Sequence, residues 1–242
     1  MSLQSATVNR KPGGFVRRAL PVLGLLALAV AVAPAAAKAP TVPKWSAVAT
    51  LRGKSIAVYE KPGAKHPFLR FSNRNSDGAT QTFLVRGELK SWIQIYLPIR
   101  PNGSKGWVRA RQVVLARDDY YVRIQLHLRR ITVWRSGRVI LHQPVGVGRA
   151  VLPTPKGLYY IVEVLKQPDP NGPYGPYAFG LSGFSNVLYQ FGGGPGQIGL
   201  HGTDDPAGIG HDVSHGCLRI RNSAITKLAH LLPLGTPVRI TA

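Results

Sequence analysis

Ser214-His215-Gly216-Cys217-Leu218-Arg219 holds the one cysteine of a 242-residue chain. Cysteine catalysis needs a thiol, a base beside it and donors for a developing oxyanion. His201, His211 and His215 are the imidazoles in the seventeen residues that end at Cys217, and Gly202 and Gly216 permit close backbone approach. In an extended chain, residues two apart share a face only without a turn between them, and a neighbouring strand presents a base to the sulfur more readily. His201 closes the apolar stretch 198–200, so it reads as the base, a choice that the backbone conformation at Gly216 could overturn. A lone thiol can also be buried filler. Three histidines and a cysteine can also hold zinc. His211 and His215 would share a helix face, but Gly208, Gly210 and Gly216 disfavour a helix there. No metal is therefore expected, and His211 reads as a surface residue.

Working outward, the composition is that of a folded protein. Apolar residues make up 44% and aromatics 8%. Twenty-seven glycines and twenty prolines imply many turns and few long helices. The net charge is +21, carried as six basic and no acidic residues in 1–44, thirteen and four in 45–118, and twelve and six in 119–242. Such a surface attracts polyanions of any kind. Arg10, Lys11, Arg17 and Arg18 precede an apolar run at 19–33 and the small residues Ala35-Ala36-Ala37. That is the pattern of a secretory signal, with an uncleaved membrane anchor as the alternative. Export makes an anionic cell envelope the expected partner and argues against nucleic acid. It also makes an idle, unpaired thiol costly.

Three segments are expected: 1–44 as signal or anchor plus tether, 45–117 as a small β module, and 118–242 as a mostly β domain. The alternating stretches 55–59 and 91–97 lie between turn clusters. Gly106-Trp107-Val108-Arg109 after a Gly/Asn turn resembles bacterial SH3-like β-barrels. In the second block, 120–128, 131–134, 139–141, 158–165, 186–191, 198–200 and 236–241 read as strands, with a hairpin at Ser136-Gly137. Residues 223–232 read as a helix, capped by Asn222 or Ser223. The Pro, Gly and aromatic-rich stretches 167–185 and 191–197 read as functional loops.

The second block resembles the L,D-transpeptidases, also called YkuD-like. The resemblance rests on His201-Gly202-Thr203, Ile209-Gly210 and the Ser214–Arg219 run, on Gly146-Val147-Gly148 and Pro153-Thr154-Pro155-Lys156-Gly157, and on Tyr174-Gly175-Pro176-Tyr177 with Phe179-Gly180-Leu181-Ser182. It implies a β-sandwich catalytic domain with one or few helices, and no cofactor. It implies Cys217 as nucleophile, His201 as general base and the Gly202 carbonyl as the group orienting that base. It further implies that Ser214, His215 and Gly216 shape the site and its oxyanion environment, and that Arg219 and Tyr177 contact substrate. The implied substrates are peptidoglycan stem peptides, joined as 3→3 cross-links outside the cytoplasm. Water as acceptor would make the enzyme an L,D-carboxypeptidase or endopeptidase. A non-catalytic wall-binding protein and a zinc-dependent hydrolase are the readings from other classes. Lys156 departs from the small or polar residue of many members.

Overall fold

A computed structural model describes residues 42–242. The signal or anchor segment expected at 1–44 lies almost wholly outside the described residues. The described residues form one compact unit. Its first block carries β1 (Ser46–Leu51), β2 (Ser55–Val58), β3 (Leu69–Ser72), β4 (Thr82–Leu89), β5 (Trp92–Tyr96), β6 (Lys105–Arg109) and β7 (Val113–Asp118). Five of these form a sheet in the order β6-β5-β4-β1-β7, and β2 pairs with β3.

The second block carries β8 (Tyr120–Gln125), β9 (Arg130–Arg135), β10 (Arg138–Pro144), β11 (Val147–Gly148), β12 (Gly157–Lys166), β13 (Tyr177–Phe184), β14 (Gln197–His201), β15 (Asp212–Ser214), β16 (Leu218–Arg219), α1 (Asn222–Ala229) and β17 (Pro237–Thr241). Its main sheet runs β10-β9-β8-β17-β12-β13-β14-β16, and β11 pairs with β15 in parallel. The protein is mostly β, with α1 packed on β13. Ser136 and Gly137 join β9 to β10 with positive φ at both positions (49° and 82°), as a two-residue hairpin turn requires.

One strand serves two cores. Along β12, side chains alternate between the faces of the sheet. Tyr159 and Ile161 join Val122, Phe179, Leu200 and Ile225 in the core of the second block. Tyr160 joins Ile56, Phe83, Ile93 and Val108 in the core of the first, with Leu158 and Val162 against it. The Tyr160 hydroxyl donates to the Tyr96 carbonyl at 3.0 Å. Glu163, further along β12, faces a cleft of about 330 Å³ between the blocks. Asn75 and Gln197 donate to its two oxygens at 2.7 and 3.1 Å.

Three local expectations are corrected. Residues 177–184, read as part of a loop, form β13. Gly180 and Gly183 weaken its strand signal, yet a Cβ at either would collide with Glu163 or with the Tyr159 ring. The glycines mark close packing inside a strand. Residues 186–191, read as a strand, are a turn-rich loop: the Ser185 hydroxyl accepts from the Val187 and Leu188 amides at 3.2 and 3.0 Å. The helix also starts without a side-chain cap, because Asn222 turns its oxygen to the Thr203 amide at 2.8 Å.

Candidate active site

The parallel pair β14 and β16 brings the two reactive side chains together. Leu200 is in register with Leu218, and His201 with Arg219. Cys217 therefore enters β16 opposite the residue before Leu200, which is Gly199. The Gly199 amide lies 3.4 Å from Cys217 Sγ. A side chain at Gly199 would begin 3.8 Å from that sulfur and 3.8 Å from His201 Cδ2. Sulfur and imidazole thus both border the space that a side chain at Gly199 would fill.

His201 is 4% exposed. Its Nδ1 lies 2.6 Å from the Gly202 carbonyl oxygen. A carbonyl only accepts, so Nδ1 carries the proton and Nε2 keeps its lone pair. Burial, the largest influence, pulls the imidazole pKa down to about 4; the Arg219 charge acts the same way, and the Gly202 carbonyl opposes. Burial also pushes the Cys217 thiol up, against the Gly199 amide and the Arg219 charge. The two shifts favour a neutral thiol beside a neutral imidazole at rest.

The turn carrying Cys217 is braced on both sides. Gly216 takes φ +119°, open to glycine and strained for other residues. Ser214 donates to the Cys217 carbonyl at 2.6 Å and accepts from the Gly216 amide at 3.0 Å. Thr154 donates to the Gly216 carbonyl at 2.8 Å and accepts from the Gly148 amide at 2.9 Å. The Gly216 amide is thus committed to Ser214. Among the described residues, no hydrogen bond occupies the Cys217 amide, which leaves it free to donate.

His215 is exposed, and its ring stacks on Phe191 with centroids 5.1 Å apart. His211 is exposed too. Among the described residues, no three His, Cys, Asp or Glu side chains gather as a metal-ligand set. Tyr177 packs edge-on against His230 at 5.7 Å, and its carbonyl accepts from the Gly202 amide at 3.2 Å. The ring over His201 is that of Tyr174, edge-on at 4.9 Å. Arg219 is largely buried, with Asp205 4.0 Å from its guanidinium and a buried Nε that has no partner among the described residues.

The sequence named Cys217, His201 and the Gly202 carbonyl, and the fold gathers all three. It missed Gly199, Thr154 and Tyr174 as parts of the site. Thr154 and Tyr174 lay inside motifs already singled out, which was the available signal. Gly199 acts through its amide and its missing side chain, for which a glycine in a strand gives only a faint sign.

Comparison with known proteins agrees in kind. Residues 119–240 match the model of the YkuD family, the L,D-transpeptidase catalytic domain. A Bacillus licheniformis protein named as an L,D-transpeptidase, YkuD, is 30% identical over 65% of this chain and 91% of its own length. Its Bacillus subtilis counterpart is 34% identical over 50% of this chain and 65% of its own length. An Enterococcus faecium L,D-transpeptidase mutant of known structure is 23% identical, with a TM-score of 0.40, over 51% of this chain and 50% of that one.

Proposed function

The chain belongs to the YkuD family of L,D-transpeptidases, a family of enzymes acting on peptidoglycan, and from that premise we propose that it forms 3→3 cross-links through a thioester on Cys217. The observation that carries this reading is the side-chain-free position at Gly199, which the Cys217 sulfur and the Cδ2 edge of the His201 ring both border, with Nδ1 of that ring held by the Gly202 carbonyl.

The donor is a tetrapeptide stem whose third residue is a diamino acid. As Sγ bonds to the carbonyl carbon of that residue, His201 Nε2 takes the thiol proton. The tetrahedral oxyanion is held by the Cys217 amide, and one such donor is worth about 3–4 kcal/mol in comparable sites. The bond to D-alanine then breaks, and His201 returns the proton to the departing amine. A side-chain amine of a second stem attacks the thioester, and His201 removes its proton. The carbon–sulfur bond breaks, the thiolate recovers the proton, and the new amide is the cross-link. Two acyl transfers through a covalent intermediate replace one difficult amide exchange.

Arg219, whose charge acts on the thiol, offers its guanidinium to a substrate carboxylate. Tyr174 over His201 and Phe191 over His215 form a partial roof that disfavours water against amine. The basic N-terminal pattern and the apolar run at 19–33 support an extracytoplasmic location.

The test uses disaccharide tetrapeptides with wild type and Cys217→Ala, read by mass spectrometry. Wild type should release D-alanine and form dimers, and the variant neither. Dimers from the variant would remove the nucleophile assignment. D-alanine without dimers from wild type would make the enzyme a carboxypeptidase.

A further inference from the structure

The loop between β13 and β14 carries Phe191 onto His215, two residues before Cys217. Burial does not fix this loop. Phe191 is 42% exposed, Val187 49% and Tyr189 68%. Its own hydrogen bonds close the turn at Ser185 and the tip at Phe191 and Gly194, but neither ties it to the rest of the domain.

The tie comes from the first block. Arg100 lies between β5 and β6. Its guanidinium donates to three loop carbonyls: Pro195 at 2.9 Å, Ser185 at 3.0 Å and Leu188 at 3.0 Å. It also sits over the rings of Phe184 and Tyr189, at 4.7 and 4.8 Å from their centroids. Asn102 secures the start of the loop: its oxygen accepts from the Phe184 amide at 2.9 Å, and its nitrogen donates to the Phe184 carbonyl at 2.7 Å and to Asn186 at 3.3 Å. At Gly196 a Cβ would collide with the Leu188 carbonyl and crowd the guanidinium, so glycine is what lets the carbonyls converge on Arg100. A planar guanidinium can donate to three carbonyls and stack on two rings together; a lysine ammonium has no such fork or plane.

We propose that Arg100 is a positioning residue for the reaction: from the first block it fixes the loop so that Phe191 rests on His215, and so sets access to Cys217 and the seating of the acyl donor. The donor's identity rests on the cross-linking function proposed above; the clamp does not.

The experiment compares wild type, Arg100→Ala, Arg100→Lys and Phe191→Ala in the full chain. Arg86→Ala serves as control, since it removes a first-block guanidinium whose bond runs to Gln94. The first readout is alkylation of Cys217 by iodoacetamide, which needs no substrate. The second is the division of kcat/KM for D-alanine release. Arg100→Ala should quicken alkylation severalfold and lower kcat/KM by about tenfold to a hundredfold, the scale of a small misplacement at a site. That loss should fall in KM, as when seating rather than chemistry is removed. Arg100→Lys should match Arg100→Ala, because charge alone does not rebuild the clamp, and Phe191→Ala should reproduce the KM rise with the clamp intact. Arg86→Ala should match wild type. Wild-type alkylation and KM in folded Arg100→Ala would overturn the proposal. Should that variant not fold, wild-type values in both Arg100→Lys and Phe191→Ala would overturn it equally. If alkylation shifts as expected but wild type releases no D-alanine, the clamp stands and the cross-linking function falls.

Discussion

The amide of Gly199 points at the sulfur of Cys217 from 3.4 Å, across the parallel pair of β14 and β16. With the Arg219 charge it pulls the thiol pKa down, while burial, the larger influence, pushes it up. The thiol is therefore protonated at neutral pH and, in the mechanism proposed, gives up its proton to His201 during attack. The rate of iodoacetamide alkylation, followed against pH, should inflect above the value of a free thiol. Arg219→Gln should move that inflection higher still and slow alkylation at neutral pH. A reactivity plateau already present at neutral pH would mean a preformed thiolate–imidazolium pair and contradict this picture.

His201 makes folding pH-dependent with a definite sign. Its pKa falls from 6.5 to about 4 on folding because the charged ring loses its water. A depressed pKa contributes stability that is complete above the unfolded value and is lost as pH falls through the folded one. At 1.36 kcal/mol per unit, the loss from this residue between pH 6.5 and 4 is about 3 kcal/mol. His201→Gln keeps a donor for the Gly202 carbonyl and cannot titrate. Its urea midpoint should fall less than that of wild type over this range. The same variant should lower kcat about 100-fold to 10,000-fold, the range for removing a general base. An equal acid slope in both proteins would place the protonation elsewhere.

Cys217 and His201 were legible because the chemistry demands those residue types and the chain offers few candidates. The Gly202 carbonyl and Arg219 came with the family motif. Residues that act through an amide, a hydroxyl or a contact from far along the chain were not legible. Gly199 contributes an N–H group and an empty space. Asn222 looks like a helix cap, and its oxygen is drawn to Thr203 by the return of α1 against the site. Strand β13 looked like a loop because Gly180 and Gly183 are there to admit Glu163 and Tyr159, partners visible only once the sheet is assembled. Residues 186–191 have strand-like composition, but the Ser185 hydroxyl takes the amides a strand would pair, and Arg100 takes the Ser185 and Leu188 carbonyls.

Glu163 gives a second pH effect of opposite sign. Burial, and then Asp77 hydrogen-bonded beside it, push its carboxyl from 4.5 up to about 7. A raised pKa contributes stability that is complete below the unfolded value and is lost as pH rises through the folded one. Asp77→Asn removes the neighbouring charge and should lower the Glu163 pKa. The variant should therefore gain in Tm relative to wild type as pH goes from 5 to 8. A difference in Tm that stays constant over that range would show that the two carboxyls do not share a proton across this cleft.

Tyr159 and Tyr160 are adjacent, both fully buried, and belong to different cores. The β12 backbone thus couples the folding of one block to the other. Tyr160→Ala should cost about 3–5 kcal/mol, as for other large aromatic truncations in a core. Tyr160→Phe removes only the bond to the Tyr96 carbonyl and should cost about 1 kcal/mol. The coupling itself is tested in urea with one reporter per block. Trp45, Trp92 and Trp107 lie in the first, and Trp134 lies on β9 of the second. Replacing either the first three or Trp134 with Phe isolates each signal. Both signals should change in one transition at the same midpoint, and Tyr160→Ala should lower the two midpoints together. If only the first-block signal moved, the second block would fold without it. Residues 118–242 would then be stable alone even with Tyr160, Leu158 and Val162 exposed to water.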